Sequence, residues 1–331
     1  MVAKFTTRSI ADSMSSGFQL ARLIALGGRT GSNPLIKLNN QLPLLFYSHE
    51  ECIMSSLLRL CATVLVFATG VAAQSANAQT RFAVVGDMGN STAAADVAKL
   101  IKNQSVDHVI TAGDNCYGSV ALSKQVGSNY GNFVEWRRFW PSLGNHEYSD
   151  ACGDGSKAYL AYFDLPNNER YYAVRLGPVH LFVINSDKRE PHGIAASSRQ
   201  AKWFKQKIQG SSAPWQVVVA HHPAYSSGEH GSTVAMRWPF EQWGVDAVLS
   251  GHDHNYERII RDDNTDGRKL PYFISGLGGR GKDPIPGDVG GSVFKYSAEF
   301  GALFLEATEQ QLKFVFRNIR GDVVDTHTMS K

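Results

Sequence analysis

Cysteine is scarce in this chain: four residues in 331, at Cys52, Cys61, Cys116 and Cys152. That is too few for a disulfide scaffold. Glycine is plentiful but has no period of three, which excludes a collagen helix. No apolar run reaches the roughly 20 residues that span a bilayer. An excess of one charge sign is also missing, since 33 Lys and Arg face 30 Asp and Glu. A net charge of +3 gives little pull toward a nucleic-acid polymer. What is present is 43% hydrophobic, 11% aromatic and 19% charged residues, the mix of one large globular domain or two small ones rather than of a disordered or many-pass membrane chain.

The N-terminal quarter reads differently from the rest. Residues 54–78, MSSLLRLCATVLVFATGVAAQSANA, carry one Arg, an apolar stretch of 14 residues over 60–73 and an A-x-A pattern at 76–78. This is the layout of a cleaved secretory signal peptide. Residues 1–53 precede it without a clear amphipathic period, and the expectation is that they are an artefactual or unstructured extension, with Met54 the true start. The expected mature chain is 79–331, with no stable membrane anchor after cleavage and a secreted or periplasmic location. It holds 253 residues and 27 charges of each sign, so the basic excess belongs to the leader.

Strand and helix patterns alternate along 79–331. Strand patterns fall at 81–85, 107–112, 171–174, 179–185, 215–220, 247–250 and 272–275, and a strand-rich tail follows from 298 to 328. Helix patterns fall at 92–102 and 197–208, and FVEWRRFW at 133–140 reads as a helix stopped by Pro141. The alternation predicts an α/β core with extra strands at its C-terminal end, and no linker in 79–331 is long enough to divide it into two domains. Polar residues sit just beyond the hydrophobic segments, where the carboxyl ends of strands in such a sheet form a ligand crevice.

Five short segments carry the chemistry: GDMG at 86–89, GDNCY at 113–117, GNHE at 144–147, VVAHHP at 218–223 and GHDHNYE at 251–257. Glycines at the strand ends turn the chain sharply, so that the next side chain faces the crevice. Hard carboxylates beside neutral imidazoles suit transition metals. A carboxylate has two oxygens, so one Asp can bridge two ions.

In this order the five segments resemble the metallophosphoesterase superfamily. Tyr117, three residues after Asp114, and the GHDHNYE ending resemble the small, single-domain purple acid phosphatases. The resemblance runs from about Arg81 to at least Gly279. It implies a four-layer α/β/β/α sandwich, two mixed β-sheets flanked by helices. It implies Asp87, Asp114, Tyr117 and His254 as ligands of an Fe(III) site. Asn145, His221 and His252, with Asp114 shared, would hold a divalent Fe, Zn or Mn ion. His146 would contact the substrate phosphate, and His230 would lie near the leaving group. The implied activity is acid hydrolysis of small phosphate monoesters, by in-line attack of a metal-bound hydroxide. A phosphodiesterase or nucleotidase on the same scaffold stays open, as does an inactive secreted metal-binding protein.

Other residues near these segments receive smaller expectations. Cys116 and Cys152 lie beside candidate site loops and form a possible disulfide in an exported protein. Glu147 either orients a site residue or sits at the surface. His222 either donates a supporting hydrogen bond or merely fills its position, and it is given no ligand role. Tyr256 and Glu257 are expected to shape the pocket wall, and GLGGRG at 276–281 reads as a glycine turn near the metals rather than a P-loop, because it lacks the Lys-Ser/Thr. His108, His180, His192 and His327 read as structural or exposed. Only Gln79 and Thr80 precede the first core strand of the mature chain, so a lone catalytic domain and a monomer are expected.

Overall fold

A computed structural model of the chain describes residues 79–149, 152, 156–263 and 267–331. The readings for 1–53 and 54–78 lie outside the described residues.

Runs of β-branched and aromatic residues build two mixed sheets. The first has the order β13-β12-β11-β1-β2-β3. Its strands are β1 (Thr80–Val85), β2 (His108–Thr111), β3 (Phe139–Pro141), β11 (Gly301–Ala307), β12 (Gln311–Asn318) and β13 (Val323–Ser330). Strands β1, β2 and β3 run parallel, and β1 pairs antiparallel with β11. The second sheet has the order β10-β8-β9-β7-β6-β5-β4. It comprises β4 (Tyr172–Leu176), β5 (Val179–Val183), β6 (Trp215–Val219), β7 (Ala247–Ser250), β8 (Tyr256–Arg261), β9 (Leu270–Ser275) and β10 (Ser292–Tyr296). Its central strands β5, β6, β7 and β9 are parallel.

Period-two alternation decides which residues meet across the sheets. Val217 and Val219 of β6, Leu181 and Val183 of β5 and Leu249 of β7 join the core with Phe82, Val84, Phe314 and Phe316 of the first sheet. Their neighbours Val218, Phe182 and Val248 belong to a second cluster with Phe204 and Ile208. Those two residues lie on helix α4 (Arg199–Gln209), which covers that outer face. Between the sheets Phe273 stacks on Phe314 at 4.4 Å. Truncating either ring to Ala would cost about 3–5 kcal/mol through lost burial and the cavity left behind.

Helix α1 (Thr92–Asn103) buries Val97, Ala98 and Ile101 in the first core cluster. Each of these two helices begins at a serine cap: Ser91 Oγ accepts the Ala94 N–H, and Ser198 Oγ accepts the Ala201 N–H. Each cap satisfies one donor that the first helical turn leaves unpaired. Helices α2 (Leu122–Glu135) and α3 (Lys157–Tyr162) complete the described α-helices. The layers are those of the expected α/β/β/α sandwich.

The helix expected over 133–140 is displaced. Residues 133–135 end α2, and Phe139–Pro141 form β3, paired in parallel with β2. The sequence FVEWRRFW mixes a helix end with an edge strand, and Pro141 can close that strand because edge positions tolerate a missing N–H.

Candidate metal centre

The parallel strands of both sheets deliver their carboxyl ends to one place. Asp87 follows β1, Asp114 follows β2, Asn145 follows β3, His221 follows β6, and His252 and His254 follow β7. The loops are stitched across the gap between sheets. The Gly86 N–H donates to the Ser275 carbonyl at 2.8 Å, and the His252 N–H donates to Asp87 Oδ2 at 2.9 Å.

The backbone is strained where the donors sit. Asp87, Asp114 and His252 have φ values of 57°, 50° and 72°, a region that L-residues with side chains rarely adopt. Crowding explains the adjacent glycines. A Cβ at Gly113 would lie 2.5 Å from His221 Nδ1, and one at Gly144 would overlap the Asp114 carboxylate and N–H.

Two donor sets meet at Asp114. Asp114 Oδ2 lies 3.0 Å from the Tyr117 hydroxyl, which is also 3.1 Å from Asp87 Oδ1 and 3.4 Å from His254 Nε2. Asp114 Oδ1 lies 3.4 Å from His221 Nε2. That nitrogen is 2.9 Å from Asn145 Oδ1 and 3.2 Å from His252 Nδ1. Each oxygen of Asp114 therefore faces one set.

This donor chemistry fits cations. His221 Nδ1 faces the Ala112 carbonyl at 2.8 Å, so the ring proton belongs there and Nε2 carries a lone pair. That lone pair points at the Asn145 oxygen, another acceptor. In the other set, one hydroxyl proton on Tyr117 is shared between two carboxylates. Asp87 is fully buried, and burial, followed by the charge of Asp114, holds its carboxyl well above the usual carboxylate range. Burial also pushes the Tyr117 phenol up and the His252 imidazole down. Ligands about 2.1 Å from an ion stand roughly 3.0–3.5 Å from one another, which is the spacing found here. Asp87, Asp114 and His221 form one group able to hold an ion, and His221, His222 and His252 another.

Two further histidines lie outside these sets. His146 packs on the Tyr117 ring at 4.2 Å, half-buried. His230 stacks on the His252 ring at 4.3 Å and is exposed. The His230 N–H donates to Asp253 Oδ1 at 2.8 Å, and the other Asp253 oxygen accepts from Ser226 Oγ, so the residue between two candidate ligands anchors the His230 loop.

Several supporting residues differ from expectation or escaped it. Glu147 is buried, not at the surface: its carboxylate accepts the N–H groups of Asp114, Asn115, Cys116 and Gly144 and so clamps the Asp114 loop. Burial pushes its carboxyl up to about 8. Tyr256 forms no pocket wall. Strand β8 starts at this residue and turns the ring into the core, where it stacks on Phe316 at 4.1 Å and donates to Asp325. Glu257 ties Ser227 to Ser292 instead of facing the pocket. His222, given no ligand role from the sequence, falls in one group able to hold an ion. Its Nδ1 meets Ser186 Oγ at 2.8 Å, its ring is 4.5 Å from that of His252, and burial pushes its imidazole down to about 3. Asp283 holds His254 Nδ1 at 2.9 Å and sets the tautomer that leaves Nε2 free. Arg189, paired with buried Asp187, donates to the Asn145 carbonyl at 3.2 Å. No local motif marks Asp283 or Arg189, because both reach the centre from loops distant in sequence.

The expected disulfide is present: Cys116 and Cys152 are bonded. It ties the loop carrying Asp114 and Tyr117 to the chain beyond Asn145 and His146. The glycine-rich segment 276–281 borders the centre, with the Gly278 N–H on the Gly86 carbonyl and the Arg280 N–H on the Asp87 carbonyl. Among the described residues no helix is long and apolar enough to cross a membrane.

Comparison with known proteins gives concordant matches. The family model described as calcineurin-like phosphoesterase matches residues 80–256, more than half of the chain. Purple acid phosphatase 15 of Arabidopsis thaliana is 29% identical over 246 residues, covering 60% of this chain and 45% of that protein. Purple acid phosphatase 17 of the same plant is 24% identical over 338 residues, covering 86% and 97%. The chain spans about half the length of the first two curated relatives it matches. A purple acid phosphatase from yellow lupin (Lupinus luteus) seeds superimposes with a TM-score of 0.64 at 19% identity, over 77% of this chain and 54% of that one, and so shares the fold.

Proposed function

Because this chain belongs to the calcineurin-like phosphoesterase family, we propose that it is a two-metal acid phosphatase of the purple acid phosphatase type, acting on small phosphate monoesters. One observation carries this reading: the two oxygens of buried Asp114 face two separate donor sets, at 3.0 Å from the Tyr117 hydroxyl and 3.4 Å from His221 Nε2. Asp87, Asp114, Tyr117 and His254 would hold Fe(III). Asp114, Asn145, His221 and His252 would hold a divalent Fe, Zn or Mn ion. When bound, the two ions supply charge neutralisation at the phosphate and acidify water near neutral pH.

The chain's own residues do the remaining work. A ring N–H of His146, held against Tyr117, donates to a phosphoryl oxygen as negative charge builds there. His230 gives its proton to the leaving alkoxide oxygen as the phosphorus–oxygen bond breaks. Its loop is anchored to Asp253, so its ring is presented from the His252 side. Asp283 keeps His254 Nε2 unprotonated, and Ala112 does the same for His221 Nε2. The oxygen attacking phosphorus comes from water, with no covalent phosphoenzyme, so a chiral phosphorothioate ester should react with inversion.

The test is turnover of p-nitrophenyl phosphate against bis-p-nitrophenyl phosphate by purified 79–331, with metal content measured on the same sample. Faster turnover of the monoester supports the proposal. Faster turnover of the diester transfers it to a phosphodiesterase, and no turnover by metal-loaded protein overturns it. Export is proposed on two grounds: the leader-like composition of 54–78, and the Cys116–Cys152 bond, which persists in oxidising compartments. N-terminal sequencing of natural protein should begin at Gln79.

A further inference from the structure

Arg280 has no place in the mechanism above, yet it stands at the centre. Its backbone is fixed. The Arg280 N–H donates to the Asp87 carbonyl at 2.9 Å, and its Cα lies 3.1 Å from where a Cβ on Gly89 would stand. A Cβ at the preceding residue, Gly279, would lie 2.5 Å from the Ala94 Cα, so the loop is wedged between the start of α1 and the Asp87 turn. From this root the side chain passes over the Tyr117 ring, with the guanidinium carbon 5.0 Å from the ring centroid. Arg280 is exposed, and among the described residues its guanidinium makes no ion pair or side-chain hydrogen bond. Arg189, which reaches the Asn145 carbonyl, is already engaged with Asp187.

A guanidinium on a fixed backbone, with its five N–H donors open, suits an oxyanion. Contact with the face of an aromatic ring does not consume those donors. The same Tyr117 ring carries His146, assigned above to the scissile phosphate. His230 stands against the rings of both His252 and His254, at 4.3 and 6.3 Å, apart from the Tyr117 ring that carries Arg280.

We propose that Arg280 is a specificity residue that binds a second anionic group, phosphate or carboxylate, carried by the substrate next to the scissile phosphate. Diphosphates and phosphorylated carboxylic acids would then be favoured over simple alkyl monoesters. The proposal rests on the phosphatase reading and deepens it.

The test measures competitive inhibition of p-nitrophenyl phosphate turnover by three stable probes: inorganic phosphate, methylenediphosphonate and phosphonoacetate. Arg280→Ala should weaken methylenediphosphonate or phosphonoacetate about tenfold more than inorganic phosphate, the size of one partly exposed charge-assisted contact. The probe that loses more identifies the second group as phosphate or carboxylate. Arg280→Lys should recover part of the loss, because it restores charge but not the fork geometry. Equal weakening of all three probes, or no weakening, overturns the proposal. Failure of the phosphatase reading is distinguishable, because it appears as absent turnover in the wild type. Metal content of the variant, compared with wild type, separates loss of an anion contact from collapse of the Asp87 turn.

Discussion

The two halves of the centre share one carboxylate but differ in kind. The half around Tyr117 is anionic and oxygen-rich, with Asp87, Asp114, a phenol and a single imidazole. The half around His221 is neutral apart from Asp114, with two imidazoles and an amide. Hard, charged donors favour a small, highly charged ion, whereas imidazole and amide donors suit a divalent one. Of the outer histidines, half-buried His146 packs on Tyr117, whereas exposed His230 stacks on His252 and lies 6.3 Å from the His254 ring, between the two halves. Under the proposed function, the unequal donor sets would suit two unlike ions.

The largest expected effect abolishes the comparison. Asp114→Ala removes the one donor common to both halves, so both ions should be lost. Activity should fall by more than the roughly 10²–10³-fold of deleting a single transition-state contact. Metal analysis showing one ion retained would mean that the halves are independent.

His230→Ala tests the division of tasks. It should slow alkyl phosphates about 10²-fold while p-nitrophenyl phosphate, whose leaving group needs no proton, loses less than about tenfold. Equal losses on both substrates would remove the proton-donor role. Asp283→Asn should act on one half alone, weakening metal binding at His254 about tenfold while leaving the His221 half loaded. Sequential metal titration would separate the two affinities. The smallest effect on rate is expected for Tyr117→Phe. The phenyl ring keeps the packing with His146 and Arg280, so hydrolysis persists, but the visible colour of a phenolate on Fe(III) should vanish.

Asp87, Asp114, Asn145 and His252 were legible in the sequence because each lies a few residues beyond a strand and is preceded by glycine, so local order carries long-range geometry. The positioning residues were not. Asp283 lies 29 positions after His254, and Arg189 lies 44 after Asn145, so only the folded chain brings them into contact. Helix α2 was hidden for a different reason. Its sequence LSKQVGSNYGNFVE holds two glycines and two asparagines, poor helix formers. Burial of Leu122, Val126 and Tyr130, spaced by four along one face, sustains it despite that composition. Tyr256 was misplaced because motif and strand overlap: the donor segment ends as β8 begins, and the alternation of the strand turns that ring into the core.

The central claim is that Asp114 joins two unlike metal sites. It is tested most directly by metal content and the visible spectrum measured together on purified 79–331. The account expects two metal ions per chain, at least one of them iron, with a violet phenolate band that Tyr117→Phe removes. A single ion per chain, or two ions including iron with no such band, would contradict it.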